Sequence, residues 1–210
     1  MWVNPLYLRD RPAALGFVSR NPLATVVGTA PVEAAHLPLL LDDPEDPRYL
    51  IGHIPLADPL SAQLRRKSTV LAVFGGAGSY ISPAVHAETV LPTYNFVAVH
   101  VTGGAEVVDD EDFLRAHLRA LTHAGETAKS YAPYREWSIQ GAAAERAESL
   151  LPRITAYRIE IERLEAKFKL GQNRTAADRR RIHDALATSA DPNDREIAAL
   201  MAEEAQPVSP

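Results

Sequence analysis

The side chains that this sequence offers for chemistry are histidine, carboxylate, serine and tyrosine, because it contains no cysteine. Thiol nucleophiles and thiolate metal sites are therefore excluded. No glycine-rich phosphate loop, HExxH pair or GxSxG motif is present either, so the common enzyme signatures are missing. Seven histidines occur, but no pair has a recognisable metal-ligand spacing, and His117 and His123 fall in an ordinary predicted helix. The sequence predicts no catalytic residue and no metal site.

Two histidines on separate predicted strands are candidates for binding an anion. If the strands that carry His36 and His53 are neighbours, the two imidazoles converge on one anionic group. Otherwise they are ordinary polar residues at the rim of a sheet. The helix predicted after Asp58-Pro59 offers free N–H groups and a positive dipole end near Ser61, which together form a seat for phosphate. The carboxylate of Asp58 would repel such a ligand.

Turn residues and hydrophobic periodicity divide the chain into short strands and helices. The predicted strands are 23–29, 32–41, 49–54, 69–74, 96–102 and 105–108. The predicted helices are 10–20, 58–66, one that begins at Asp109 or Asp110, 142–151, 175–187 and 192–204. Gly75 to Gly78 predict a sharp break after the fourth strand, and Gly103-Gly104 predict a turn before the last one.

The segment 154–170 fits two patterns. Ile154, Tyr157 and Ile161 fall at helical spacing, whereas Tyr157, Ile159 and Ile161 also alternate with polar residues as in a strand. In the strand interpretation the apolar phase slips after Glu162, which requires a bulge or bend. The pattern alone does not decide between the two.

Composition predicts one globular domain in the cytoplasm. The chain has 210 residues, 46% of them hydrophobic and 23% charged. No apolar stretch approaches the ~20 residues needed to cross a bilayer, and the amino terminus lacks a secretory signal pattern. Short strands interrupted by brief helices predict an α+β, mainly β fold, a small barrel wrapped by peripheral helices.

The charge distribution opposes direct contact with nucleic acid. The net charge is -5, so binding to DNA needs a local basic patch. Residues 65–67 and 174–181 contain basic clusters, although such clusters are more often solvated helix faces. Helices 175–187 and 192–204 resemble a helix-turn-helix, but the second is rich in acidic residues and would face phosphates with the wrong charge.

Five sequence blocks occur in a fixed order along the chain: His36-Leu37-Pro38-Leu39-Leu40, Gly52-His53, Tyr80-Ile81-Ser82-Pro83, 92–100 (PTYNFVAVH) and 167–174 (KFKLGQNR). Blocks of this kind in this order resemble the PaiB family of FMN-binding negative transcriptional regulators. The resemblance runs from the opening helix to about residue 187. It implies a split β-barrel of the FMN-binding type, with FMN in clefts shared by the two subunits of a homodimer, and it favours the strand interpretation of 154–170.

The resemblance also implies a set of FMN-binding residues. They are His36, Leu37, His53, Ser61, Tyr80, Ser82, Tyr94, Asn95, Lys167, Lys169, Gln172, Asn173 and Arg174. Hydroxyl and amide groups suit the ring edge and ribityl chain, and the lysines and Arg174 suit the phosphate. Ordinary alternatives are a turn at Ser82, a strand cap at Asn95 and a subunit contact at the lysines.

This sequence departs from the family pattern at two places. The family usually has an aromatic pair and a lysine after Tyr-Ile-Ser-Pro, whereas 84–88 reads AVHAE here. The usual Ser-Gln-Asn-Arg begins with Gly171. The first change removes a ring and a positive charge near the expected flavin, which bears on flavin affinity.

The predicted organisation is an FMN-binding split-barrel domain (1–173), a C-terminal helical extension (174–205) packed on the barrel or the partner subunit, and a disordered tail (206–210). The function implied by the resemblance is negative transcriptional regulation, with DNA or another protein as partner. A flavin-dependent oxidoreductase and a cofactor-free binding module remain alternatives.

Overall fold

The computed structural model describes residues 1–128 and 137–204. The strands of this part of the chain are β1 (Leu8–Arg9), β2 (Leu23–Thr29), β3 (Val32–Pro38), β4 (Leu40–Leu41), β5 (Tyr49–Pro55), β6 (Thr69–Ile81), β7 (Thr93–Val108), β8 (Ile154–Glu160) and β9 (Arg163–Lys169). The α-helices are α1 (Arg11–Arg20), α2 (Pro59–Leu64), α3 (Glu111–Ala128), α4 (Ala142–Leu150), α5 (Ala176–Ala187) and α6 (Pro192–Glu204). The predicted tail at 206–210 lies outside the described residues.

The chain divides into two compact units. The first consists of Met1–Asn21, Phe74–His100 and Leu164–Pro210, and the second consists of Pro22–Val73 and Val101–Arg163. The long strands β6 and β7 contribute residues to both units.

Antiparallel pairing organises the second unit. Its strands follow the hydrogen-bonded order β3-β2-β6-β7-β8-β5-β4. β2 and β3 form a hairpin in which Thr25 lies opposite His36, and β5 pairs with β8 so that His53 lies opposite Ala156. Leu50, Ile54, Leu60, Leu64, Tyr157 and Ile159 are buried here. Burial alternates along β2, as expected for a strand with one face on the core.

The first unit contains the helices α1, α5 and α6 and the remaining strand segments. β1 pairs with β9, which also pairs with β7. Phe17 of α1 packs edge-on against Phe168 of β9, with ring centroids 5.7 Å apart. α5 and α6 bury Ile182, Leu186, Ile197 and Met201 in this unit.

The glycine segments do not turn the chain, so two predictions were wrong. β6 runs unbroken through Gly75 to Gly78, and β7 runs unbroken through Gly103-Gly104. A Cβ on Gly76 would lie 2.8 Å from the Phe17 ring, and one on Gly103 would lie 1.7 Å from the Glu160 carbonyl oxygen. These glycines allow another side chain or backbone to approach the strand closely, which is a common role of glycine within strands.

Most other element predictions are confirmed. The segment 154–170 forms two strands separated at residues 161–162, so the strand interpretation with a break is right. The fold is α+β, as predicted, with a mostly antiparallel sheet and, over residues 1–128 and 137–204, at least as many residues in helices as in strands. No helix among the described residues is both long and apolar enough to span a bilayer.

Candidate functional site

Three positive side chains gather in the first unit on and after β9. Lys167 and Lys169 are two residues apart on this strand and therefore share a face, and Arg174 follows in the next turn. Burial lowers the pKa of Lys169, and the nearby charges of Lys167 and Arg174 lower it further. The Lys169 ammonium donates a hydrogen bond to the Thr93 hydroxyl. We call Lys167, Lys169 and Arg174 the cationic cluster.

The cationic cluster lacks compensating negative charge. In the described ranges no carboxylate forms an ion pair with any of its three members. Lys167 instead lies over two aromatic rings, with its Nζ 5.6 Å from the Trp2 centroid and 5.4 Å from that of Phe96. Such contacts stabilise a cation only modestly. An incoming anion would therefore relieve repulsion within the cluster.

Two hydrogen bonds of the predicted site residue Gln172 stabilise the turn that carries Arg174. Leu170 N–H donates to Gln172 Oε1 at 2.8 Å, and Gln172 Nε2 donates to the Phe168 carbonyl at 2.7 Å. Gly171 has φ of +79°, a backbone conformation that favours glycine. The Gln172 amide is therefore hydrogen-bonded to the backbone through both its oxygen and its nitrogen. Arg174 is the charged side chain that the turn presents.

Asn95 lies beneath the same turn. It is almost fully buried, and its Nδ2 contacts Met201 Sδ of α6 at 3.8 Å. A Cβ on Gly171 would lie 3.8 Å from the Asn95 amide nitrogen. Asn173 is exposed at the tip of the turn. Asn95 therefore supports the turn, whereas Asn173 faces solvent.

Two exposed tyrosines form a second feature of the first unit. The rings of Tyr80 and Tyr94 meet edge-on with centroids 5.7 Å apart, and each residue is more than half exposed. The Ser82 hydroxyl accepts a hydrogen bond from Ala84 N–H at 3.2 Å and caps the 3-10 turn at Pro83–Val85. The rings provide apolar surface, while the Ser82 oxygen is engaged locally.

The remaining predicted site residues lie in the second unit. His36 is exposed and its Nδ1 lies 3.0 Å from the Thr25 hydroxyl, while Leu37 is buried. β3 and β5 contact each other without being hydrogen-bonded neighbours, and the His53 ring contacts His117. Convergence of His36 and His53 on one anion stays a prediction. Ser61 is also buried.

The predicted phosphate-binding position at the start of α2 is occupied by the side chain of Asp58. The Asp58 carboxylate accepts a hydrogen bond from Leu60 N–H at 2.9 Å. This helix has only six residues, and its first free N–H group already has an anionic partner.

Sequence reasoning missed His117, which is the partner of His53. His53 Nδ1 and His117 Nε2 are 3.2 Å apart, and the ring centroids are 5.3 Å apart. Burial lowers the pKa of both imidazoles, that of His117 to about 4. A signal was available, because His117 lies three residues after Leu114 on the apolar face of the predicted helix.

A second missed pair occupies the segment that departs from the family pattern. The His86 side chain is buried, and its Nδ1 lies 3.6 Å from Asp178 Oδ2 in α5. Ala87 N–H donates to the other oxygen of Asp178 at 2.9 Å. The substituted segment is thus attached to the start of α5.

Comparisons with known proteins agree with this architecture. The family model described as "Putative FMN-binding domain" matches residues 1–163. The curated relative "Protease synthase and sporulation protein PAI 2" of Bacillus subtilis is 30% identical over 190 residues, which is 88% of each chain. The chain belongs to the PaiB family. FMN, the cofactor expected from the sequence, is the ligand in the description of this family's domain.

Solved structures show the same fold for this PaiB-family chain. The flavocytochrome Anf3 from Azotobacter vinelandii aligns with a TM-score of 0.54 at 16% identity, covering 81% of this chain and 70% of the other. An FAD and heme binding protein from Mycobacterium smegmatis aligns with a TM-score of 0.55 at 18% identity, covering 81% and 76%. At these identities the likeness shows the fold alone, and it confirms the predicted split β-barrel.

The first unit of this PaiB-family chain contains groups that fit FMN. The cationic cluster has uncompensated charge for a phosphate, and Arg174 can bind one through two parallel hydrogen bonds. Tyr80 and Tyr94 offer exposed ring surface. In the described part of the chain no group of three or more His, Asp or Glu side chains could hold a metal ion.

Proposed function

We propose that this chain binds FMN through the cationic cluster and acts, as a cytoplasmic homodimer, as a negative transcriptional regulator. The observation that carries the flavin assignment is the convergence of Lys167, Lys169 and Arg174 without a carboxylate partner in the described residues. A phosphate dianion would compensate these charges. Bound FMN would supply reversible electron transfer, and the protein would position it.

In this proposal the residues around the cluster have distinct tasks. Lys169 is held by Thr93, and Lys167 is held over the Trp2 and Phe96 rings, so neither ammonium is free to swing away. Gln172 and Asn95 fix the turn that presents Arg174. Such bracing lowers the entropy lost when a ligand is bound.

The regulatory part of the proposal rests on family membership and on the B. subtilis relative, whose name refers to protease synthesis and sporulation. The structure favours a protein partner or a small molecule over direct DNA contact by α6. This helix is acidic, its Asp194 accepts hydrogen bonds from Ser79 and Ser189, and its Glu204 pairs with Arg9. Its buried residues Ile197 and Met201 pack within the first unit.

Flavin titration tests the proposed site. Lys169→Gln should weaken FMN binding about 10- to 100-fold, since a hydrogen bond to a charged group contributes about 1.5–3 kcal/mol. Riboflavin, which lacks the phosphate, should bind the variant and the wild type equally. Arg180→Gln removes one exposed charge from α5 in the same unit and serves as the matched control. Equal losses for FMN and riboflavin, or an equal loss in the control, would contradict the assignment.

Further measurements separate the functions. Light scattering on the purified protein reports whether it is dimeric, and a monomer would contradict the proposed homodimer. Salt-sensitive retention of a promoter fragment favours regulation through DNA. Turnover of NADH or NADPH with an electron acceptor would favour the flavin-dependent oxidoreductase. A chain that never binds FMN would be a cofactor-free binding module.

A further inference from the structure

The histidine pair of the second unit has no task in the proposed flavin site. His53 is carried by β5 and His117 by α3, so the pair joins a strand to the helix packed against it. Its ring nitrogens, His53 Nδ1 and His117 Nε2, approach to 3.2 Å. His117 is buried and His53 is partly buried. A neutral imidazole has one donor and one acceptor nitrogen, so one ring can donate a hydrogen bond to the other.

The spacing of the two nitrogens suits a metal ion as well as a shared proton. Zinc binds imidazole nitrogen at about 2.0 Å, so two nitrogens at neighbouring corners of a tetrahedron are about 3.3 Å apart. The observed separation is 3.2 Å. Replacing the bridging proton by an ion would therefore change this distance by only about 0.1 Å.

Metal ligation needs a lone pair on each of the two facing nitrogens. The proton shared by His53 Nδ1 and His117 Nε2 would therefore move to a ring nitrogen that faces away from the pair, or to water, when the ion binds.

A groove lies beside His117, one member of the pair. His117 lines a groove of about 240 Å³ together with Asp42, Ile51 and Phe113. The groove has room for water molecules as additional ligands, and Asp42 supplies negative charge at its wall. The Asp42 Oδ1 atom already accepts hydrogen bonds from the N–H groups of Arg48 and Tyr49, which hold the carboxylate in place.

We propose that His53 and His117 form a two-histidine site for a divalent transition metal ion such as Zn²⁺ or Cu²⁺, completed by water from the groove. Imidazole is a preferred ligand of both ions. No third histidine or carboxylate of the described residues completes the set, so the ion is exchangeable rather than a permanent structural centre. Binding fixes α3 on β5, because each element supplies one ligand.

Calorimetric titration of the full chain with Zn²⁺ or Cu²⁺ tests the site. Wild type should bind one ion per chain, and His53→Ala and His117→Ala should each bind at least about tenfold more weakly, since loss of an outer-shell partner alone has an effect of that size. His36→Ala removes an exposed histidine of the β2–β3 hairpin and should bind the ion like wild type. Absence of binding to wild type, or equal binding to all variants, would overturn the proposal.

A measurement on the wild type keeps the test valid if an alanine variant unfolds. In a ¹⁵N-resolved spectrum of the histidine side chains, Zn²⁺ should shift the resonances of His53 and His117 together and saturate both at one equivalent. Shifts confined to other histidines, or shifts of only one member of the pair, would refute the two-histidine site.

Discussion

Gly103→Ala is expected to destabilise the second unit strongly, although the residue lies in a strand and not in a turn. A Cβ at this position would lie 1.7 Å from the Glu160 carbonyl oxygen and 2.8 Å from its carbonyl carbon. Both atoms belong to the backbone of β8, which is itself paired with β5 and β7. Relief of the contact therefore requires a strand to move by about 1.5 Å, and overpacking of this severity costs at least about 3 kcal/mol.

The neighbouring glycine provides the control. A Cβ on Gly104 would come no closer than 3.4 Å, and the nearest atom is the carboxylate of the flexible Glu162 side chain. Gly104→Ala should stay within about 1 kcal/mol of wild type, because alanine also restricts the unfolded chain. Thermal unfolding followed by far-ultraviolet circular dichroism should show a fall in Tm of about 6–12 °C for Gly103→Ala and little change for Gly104→Ala. Equal Tm values would refute the close approach at Gly103.

Three other substitutions test local features of the structure. Because burial lowers the pKa of His117 from 6.5 to about 4, the unfolded chain binds more protons than the folded chain between these values, and stability is lost as the pH falls through them. His117→Gln should flatten this dependence in urea unfolding at pH 5 and 7, and an unchanged slope would contradict it. The Tyr157 hydroxyl is buried and has no hydrogen-bond partner in the described residues, so Tyr157→Phe should leave the urea midpoint unchanged or raise it. Asp10 Oδ1 accepts from Ala13 N–H at 3.0 Å, so Asp10→Ala should cost about 1 kcal/mol of unfolding free energy, whereas Asp10→Asn should retain most of it.

Local signals predicted the elements well where the deciding interaction lies within a few residues. Asp10 caps α1, and Thr175 caps α5 by accepting from Asp178 N–H, as the residue types indicated. The alternation of Val97, Val99 and Val101 with their neighbours likewise predicted a strand, which is part of β7. Each of these rests on one turn of helix or on the period of one strand, so the information is contained in a short window.

Interactions between residues distant along the chain explain the wrong predictions and the missed residues. Gly103 lies within β7 and not at a turn, and its missing Cβ leaves space for the Glu160 carbonyl, 57 positions later. His53 and His117 are 64 positions apart, and no short window contains both. The residues of 154–170 alone fit helix and strand equally well, so only the family resemblance favoured the strand interpretation.

By itself, the sequence determined the family, the α+β class, most helix starts and the face that carries Lys167 and Lys169, because motif order, caps and strand periodicity are local properties. Only the tertiary structure decided which charges meet. It brought the charge of Arg174 close enough to Lys169 to lower its pKa, paired His53 with His117, and placed the Asp58 carboxylate at the start of α2. The physical reason is that an electrostatic or hydrogen-bonded contact depends on separation in space, which strand order and side-chain packing set and which spacing along the chain does not encode.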